Sequence, residues 1–169
     1  MKIEAPVEPQ VHIEALIAAG EGPQAEFKEH LPTSKHDRRN LKTVAAFANG
    51  DGGVVIFGIN RDEVTVVGLA EDKPAVKLRD HLVDLVRGTV FPTPDVEARE
   101  YWIKGKLIMV LKVPAGPTPP YALSTPEARD KPEYFVRRGA STFPAQPSDL
   151  SEAVLGRRPT TNDSGWRPF

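Results

Sequence analysis

The sequence predicts an α+β fold, a single domain in which a mixed β-sheet is flanked by helices. Three observations support it. Apolar residues recur with helical period in several segments, and these alternate with strand-like segments. Residues 54–59 form a short, mostly β-branched apolar run preceded by glycines, which is typical of a central strand buried on both faces. The chain has 169 residues and no cysteine, a length that suits one domain with a core needing no disulfide or metal.

Four helices are predicted in chain order. The first covers residues 11–19 and ends at Gly20. The second begins with Ser34 as N-cap and Asp37 at the capping-box position, and it runs to residue 49. A third helix follows Asp72 and Pro74 and carries an apolar stripe, and residues 148–155 form a short fourth one.

Strands are predicted between these helices. Residues 21–28 begin with a turn and become extended, and a glycine-rich turn at 50–53 leads into the central strand at 54–59. Residues 64–69 return as the second strand of a hairpin. A further hairpin joins residues 96–103 to 107–113 through Lys104-Gly105-Lys106. The last predicted strand covers residues 134–137.

The composition predicts how the chain is organised. Residues 1–10 are expected to form a flexible lead-in, residues 11–155 the domain, and residues 156–169 a disordered tail. Ten of the 17 prolines lie beyond residue 113, where regular structure becomes sparse. No signal peptide and no long apolar run is visible, so we expect a cytoplasmic protein that does not span a membrane.

Several kinds of site are excluded by their missing motifs. Gly50, Gly52 and Gly53 follow a helix and precede a strand, the reverse of the order in a dinucleotide-binding loop. No P-loop motif supports ATP binding. The four histidines have no metal-ligand spacing, and no nucleophile elbow is present.

Carboxylates and basic residues remain as candidates. Glu21, Glu26 and Asp62 could hold Mg²⁺ or Mn²⁺ if they converge at strand ends, although solvated acids also explain them. Two basic clusters could contact phosphates, with ordinary solvated surface as the alternative. The first has the i, i+3, i+4, i+7 spacing of one helix face, and the second adds hydroxyls. Together they contain Lys35, Arg38, Arg39, Lys42, Arg137, Arg138, Ser141 and Thr142.

A series of motifs then resembles a known family. Glu26-Phe27-Lys28 is followed by an Ala-Phe-Ala-Asn-x-x-Gly-Gly stretch at 46–53, and the series ends with Arg-Arg-Gly-x-Ser-Thr at 137–142. Their order and spacing over roughly residues 14–147 resemble the Schlafen AlbA-type domain, also described as a divergent AAA or DNA-binding domain. The resemblance implies nucleic-acid binding, often in bacterial transcriptional regulators.

The resemblance also implies a possible catalytic site. In animal Schlafens the related domain cleaves transfer and ribosomal RNA with three carboxylates and a divalent metal. Glu21 and Glu26 match the spacing of two of them, and Lys28 would steady the scissile phosphate. The family's aspartate after the central strand is replaced here by Asn60 and Arg61, so that Asp62 lies one residue late.

Three hypotheses follow. The leading one is a nucleic-acid-binding domain, regulatory in role, that contacts phosphates through the basic clusters and Lys28. The second is a divalent-metal-dependent endoribonuclease acting on tRNA-like RNA, so the chain's status as an enzyme stays open. The third is a protein-interaction module, favoured if Glu29, Asp37 and Glu133 neutralise the basic surface. A homodimer is one way to supply the second lobe found in animal Schlafens. DNA and RNA remain equal alternatives.

Overall fold

The computed structural model of the chain describes residues 9–32, 35–124 and 130–156. Within these residues the helices are α1 (Pro9–Ala19), a 3₁₀ helix (Lys35–Leu41), α2 (Lys42–Asn49), α3 (Ala75–Arg87) and α4 (Pro147–Leu155). The strands are β1 (Ala25–Lys28), β2 (Gly53–Phe57), β3 (Ile59–Asn60), β4 (Thr65–Val66), β5 (Val90–Phe91), β6 (Glu97–Ile103), β7 (Lys106–Val113), β8 (Ala122–Leu123), β9 (Glu133–Arg138) and β10 (Ser141–Pro144). The predicted α+β class is confirmed.

The first sheet is mixed and has the strand order β1-β2-β7-β6. Strand β1 pairs with β2 in parallel, and the other neighbours are antiparallel. Every residue of β2 is buried. Val54 and Ile56 pack on one face of the sheet, and Val55 and Phe57 pack on the other. This alternation explains why a central strand appears in the sequence as an unbroken apolar run.

Helix α1 covers one face of this sheet, where Ile13 and Ile17 pack among apolar side chains of β1, β2 and β7. Helices α2 and α3 and a second sheet cover the other face. The second sheet has the order β10-β9-β8-β5, and its strand β9 packs along α2. Strand β1 therefore forms one edge of the first sheet, close to the place where α2 and the second sheet meet it.

The hairpins form as predicted, but one is shorter. Strands β6 and β7 pair from Glu97↔Lys112 to Ile103↔Lys106, with Lys104 and Gly105 at φ +50° and +76° as a two-residue turn requires. The return strand expected over residues 64–69 pairs only at Thr65–Val66 with β3. Helices α1, α3 and α4 occupy the predicted segments, and α1 begins two residues earlier, inside the expected lead-in.

The second predicted helix requires a correction. Its first half is the 3₁₀ helix Lys35–Leu41, and only Lys42–Asn49 is α-helical. In a 3₁₀ helix the side chains of residues i and i+3 lie one above the other. Arg38 therefore lies above the buried Leu41, and it does not form a continuous stripe with Arg39 and Lys42. The single basic helix face predicted from the spacing is therefore not formed. Ser34 and most of the predicted tail (residues 157–169) lie outside the described residues, as does most of the predicted lead-in.

Among the described helices, none is both long and apolar enough to cross a membrane.

Candidate nucleic-acid interface

The two basic clusters, separated by about 100 residues in sequence, are adjacent in the fold. The Thr43 hydroxyl at the start of α2 lies 3.0 Å from the Thr142 hydroxyl on β10. The guanidinium of Arg39 donates two hydrogen bonds to the carboxylate of Glu133 at the start of β9, at 2.7 and 3.1 Å. These contacts join the basic end of the helical segment to the β9–β10 hairpin, so both clusters belong to one region of the surface.

Arg137 does not belong to that surface, because its side chain is only 5% exposed. Its guanidinium is surrounded by four acceptor groups, here called the oxygen cage: the carbonyls of Gly22 and Ala25, the carboxylate of Glu26 and the hydroxyl of Thr142. The five hydrogen bonds measure 2.9 and 3.3 Å to Gly22, 2.9 Å to Ala25, 2.6 Å to Glu26 and 3.1 Å to Thr142. The predicted phosphate contact by Arg137 would need donors that are already occupied.

The aromatic ring of Phe47 in α2 completes the surroundings of Arg137. The guanidinium carbon lies 5.3 Å from the ring centroid, within the range of a cation–π contact. Phe135 and Arg137 lie on the same face of β9, because side chains alternate along a strand. Phe135 enters the core, and Arg137 continues that row toward the edge strand β1.

Glu26 is buried between two cations. Ala25 and Phe27 pack against the α1 side of the sheet, so the alternation of β1 turns Glu26 and Lys28 toward the opposite side. One Glu26 carboxylate oxygen accepts from Arg137, and the other lies 2.9 Å from the Lys28 ammonium. The Lys28 side chain keeps partial contact with solvent, whereas that of Glu26 is 9% exposed.

Glu21 has a different set of partners. One carboxylate oxygen accepts the backbone N–H of Phe27 at 2.8 Å. The other lies 3.8 Å from the Nε of Arg61, which also lies 3.6 Å from the carboxylate of Asp62. Asp62 itself is 88% exposed. A cation therefore lies between two of the three carboxylates that were expected to share a metal.

The predicted convergence of Glu21, Glu26 and Asp62 is not found. The described part of the chain contains no group of three or more histidine, aspartate or glutamate side chains that could hold a metal ion. Both oxygens of Glu26 already face cations, and a divalent ion beside Arg137 and Lys28 would be repelled by both. The residues present do not fit the expected Mg²⁺ or Mn²⁺ site.

Asn60 occupies the position where the resemblance expects an aspartate, and its role is to hold a turn. Its side-chain oxygen accepts the backbone N–H groups of Asp62 and Glu63 at 3.1 and 2.9 Å. Its amide nitrogen donates to the Glu29 carboxylate at 2.5 Å. This is the ordinary chemistry of an Asx turn, and asparagine serves it without adding a charge.

The remaining basic residues differ in their partners. Arg39 is 66% exposed and paired with Glu133, and Arg138 is 55% exposed and paired with Asp149 in α4 at 2.6 Å. The backbone N–H of Gln146 and the Arg138 guanidinium hydrogen-bond to the Asp149 carboxylate and lower its pKa from the ordinary value of 3.8. Ser141 lies exposed opposite Arg138.

Arg38 and Lys42 are partly exposed, and neither forms an ion pair with a described carboxylate. The Nε of Arg38 is buried and has no hydrogen-bond acceptor within the residues that the structure describes. An unsatisfied buried N–H group costs free energy until an acceptor reaches it. Lys35 begins the 3₁₀ helix, and its side chain is outside the described part.

The sequence interpretation missed two residues that build this region, Asn49 and Thr43. Both are buried polar residues in α2. In the sequence Asn49 stands within the Ala-Phe-Ala-Asn motif, and the following Gly50 indicates a helix end. Its position directly after five buried apolar residues (Val44 to Ala48) was the available signal, because a buried amide in a helix needs distant partners.

Comparisons with known proteins agree with this fold. A family model described as Schlafen, AlbA_2 matches residues 21–146. The DIP2311 protein from Corynebacterium diphtheriae has a similar structure, with a TM-score of 0.55 and 18% sequence identity; the match covers 85% of this chain and 27% of that one. The chain thus spans about a quarter of that protein's length.

A second similar structure is the N-terminal domain of a protein from Nitrosomonas europaea named as related to the ATP-dependent DNA helicase RecG. Its TM-score is 0.47 with 24% identity, over 64% of this chain and 74% of that one. No curated protein matched the chain.

Proposed function

Because the chain belongs to the Schlafen AlbA_2 family, we propose that it is a nucleic-acid-binding domain which contacts phosphates where α2 meets the β9–β10 hairpin. The contact residues we propose are the sequence-predicted set without Arg137. Those whose side chains are described carry a nitrogen or hydroxyl at or beside this region. They are Lys28, Lys35, Arg38, Arg39, Lys42, Arg138, Ser141 and Thr142.

The observation that carries the proposal is the state of Arg38. Its side chain is partly exposed and forms no ion pair with a described carboxylate, and a phosphate oxygen is a strong acceptor for a guanidinium group. Lys42 follows it along the chain without a described carboxylate partner. Two partly exposed cations without an ion pair to a described carboxylate match the donors that proteins use to contact a phosphate backbone.

Two further arginines would have to exchange partners. In the Arg39–Glu133 and Arg138–Asp149 pairs the arginine side chain is exposed to solvent. Exposed ion pairs contribute only about 0–1 kcal/mol, so a phosphate can displace the carboxylate at little cost. In this proposal Glu133 and Asp149 weaken binding without preventing it.

The test is a fluorescence anisotropy titration with three labelled probes of one sequence: duplex DNA, single-stranded DNA and single-stranded RNA. We expect log affinity to fall linearly with log salt between about 50 and 200 mM, with a slope near −0.9 per phosphate contact on the duplex. The double variant Arg38→Gln/Lys42→Gln should weaken binding to every probe and flatten the slope on the duplex by about 1.8.

A matched control comes from the other side of the first sheet. Lys104 lies in the β6–β7 turn near Glu14 and Ile17 of α1, at φ +50°. Lys104→Asn removes one charge and keeps a residue that tolerates this backbone conformation, so binding should stay unchanged. Absence of binding to all three probes at 50 mM salt, or binding that is independent of salt, would overturn the proposal.

One observation favours a second candidate, a protein-interaction module. Glu133 neutralises Arg39, as that hypothesis expects. The protein-interaction hypothesis makes the opposite prediction in the same titration. The chain should not bind nucleic acid at low salt although circular dichroism shows that it is folded.

A further inference from the structure

We infer that the guanidinium of Arg137 fills the place beside Glu26 that a divalent metal was expected to take, and that Glu26 joins the two sheets instead of binding metal. The oxygen cage consists of one carboxylate, two carbonyls and one hydroxyl, all of them ligand types for a hard cation. In this chain a covalently attached cation satisfies them.

Charge and geometry both favour the guanidinium. It is planar, it remains protonated, and its five N–H groups match the five hydrogen bonds recorded for Arg137. The bond lengths of 2.6–3.3 Å are those of N–H donors, whereas Mg²⁺ and Ca²⁺ need oxygens at about 2.0–2.6 Å. Lys28 already binds the second oxygen of Glu26.

Arg137 and Glu21 also occupy backbone groups on the free edge of the first sheet. Strand β1 is an edge strand, and the backbone groups of Ala25 and Phe27 point away from β2. Arg137 donates to the carbonyl of Ala25, and Glu21 accepts the N–H of Phe27. Edge groups left open can pair with other chains, so these side chains protect the edge. Glu21 and Glu26 therefore act structurally on the same strand.

The first experiment removes the guanidinium and returns it as a free compound. Arg137→Ala should lower the melting temperature, and about 20 mM ethylguanidinium should raise that of the variant by several degrees while leaving the wild type unchanged, because only the variant's folded state has a place for the compound. Ethylammonium at the same concentration, which has the charge without the planar donors, should restore less. Equal stability of variant and wild type, or better rescue by Mn²⁺ than by ethylguanidinium, would overturn the inference.

The second experiment does not depend on whether Arg137→Ala folds. Glu26→Gln should lower the melting temperature by about 6–20 °C, because it leaves the buried Arg137 without its counter-charge. Glu29→Gln is the control, since Glu29 lies next to the same strand and its amide variant can still accept from Asn60. Mn²⁺ titrations followed by electron paramagnetic resonance should give the same result for wild type and Glu26→Gln.

Stoichiometric Mn²⁺ binding that Glu26→Gln abolishes and Glu29→Gln preserves would show that Glu26 is a metal ligand, and the inference would fail. Neither readout involves nucleic acid. A failure here is thus separate from a failure of the proposed binding function.

Discussion

Asn49 and Tyr121 exchange two hydrogen bonds in the core between α2 and the second sheet. The Asn49 amide nitrogen donates to the Tyr121 carbonyl at 2.9 Å, and the Asn49 side-chain oxygen accepts the Tyr121 N–H at 2.7 Å. The same nitrogen donates to the carbonyl of Phe135 at 3.1 Å. One buried side chain thus satisfies backbone groups just before β8 and in β9, and it fixes the second sheet against the helix.

We predict that Asn49→Leu destabilises the chain by about 3 kcal/mol or more, because three buried backbone groups lose their partner and each costs about 1–3 kcal/mol. Urea unfolding should show a lower midpoint with an unchanged m-value. Asn40→Leu, at an exposed position of the 3₁₀ helix, is the control. A loss below about 1 kcal/mol at Asn49 would contradict this role.

The contact between Gly53 and Phe47 leads to a second prediction. A Cβ atom added at Gly53 would lie 2.6 Å from the buried Phe47 ring. We expect Gly53→Ala to cost about 1–3 kcal/mol by overpacking, whereas Gly22→Ala, where nothing lies within 4 Å, should cost little. In a Phe47→Leu background the added cost of Gly53→Ala should shrink, which a double-mutant cycle in urea measures. Additive costs would show that the two positions do not interact.

The sequence could predict those parts of the fold that depend on neighbouring residues. The central strand β2 was predictable because a strand buried on both faces is an unbroken apolar run in the sequence. The turn at Lys104-Gly105 was predictable because a glycine between two strand-like segments favours the positive φ that a two-residue turn requires. Strands β5 and β8 have two residues each and exist only through pairing with distant partners, such as Ala122 with Tyr134. No local pattern predicts such strands.

The site was predicted only in part, because its main contacts join residues that are far apart in the sequence. Spacing selected Glu26 and Arg137 separately, one as a metal ligand and the other as a phosphate contact. Their pairing across 111 positions has no trace in either local segment. Arg61 did signal a departure from the metal site, because a cation in a ligand position opposes a metal ion.

The Asp149 carboxyl provides a prediction about pH. Its pKa is lowered first by the backbone N–H of Gln146 and then by Arg138. A lowered pKa means that its stabilising contribution is complete above the ordinary value of 3.8 and is lost as the pH falls through the lower value of the folded chain.

We expect an NMR titration of the Asp149 carboxyl to give a midpoint below 3.8. In Arg138→Ala the midpoint should rise and stay below 3.8, because the Gln146 hydrogen bond remains. A wild-type midpoint at or above 3.8 would contradict the hydrogen bonds that Gln146 and Arg138 donate to this carboxylate.

The pair between Arg39 and Glu133 provides the last prediction, which concerns affinity. If Arg39 contacts phosphate, Glu133 competes for the same donors, since the carboxylate accepts from both terminal nitrogens of the guanidinium. Glu133→Gln should therefore tighten nucleic-acid binding. An exposed ion pair is worth about 0.2–1 kcal/mol, which corresponds to about a 1.4- to 5-fold gain in affinity. The matched control is Glu97→Gln, which removes a carboxylate paired with Arg99 on the edge strand β6 and should leave affinity unchanged. Anisotropy titrations of the three proteins at one low salt concentration measure the difference. If Glu133→Gln and Glu97→Gln change affinity equally, the gain reflects net charge alone, and Arg39 is not a phosphate contact.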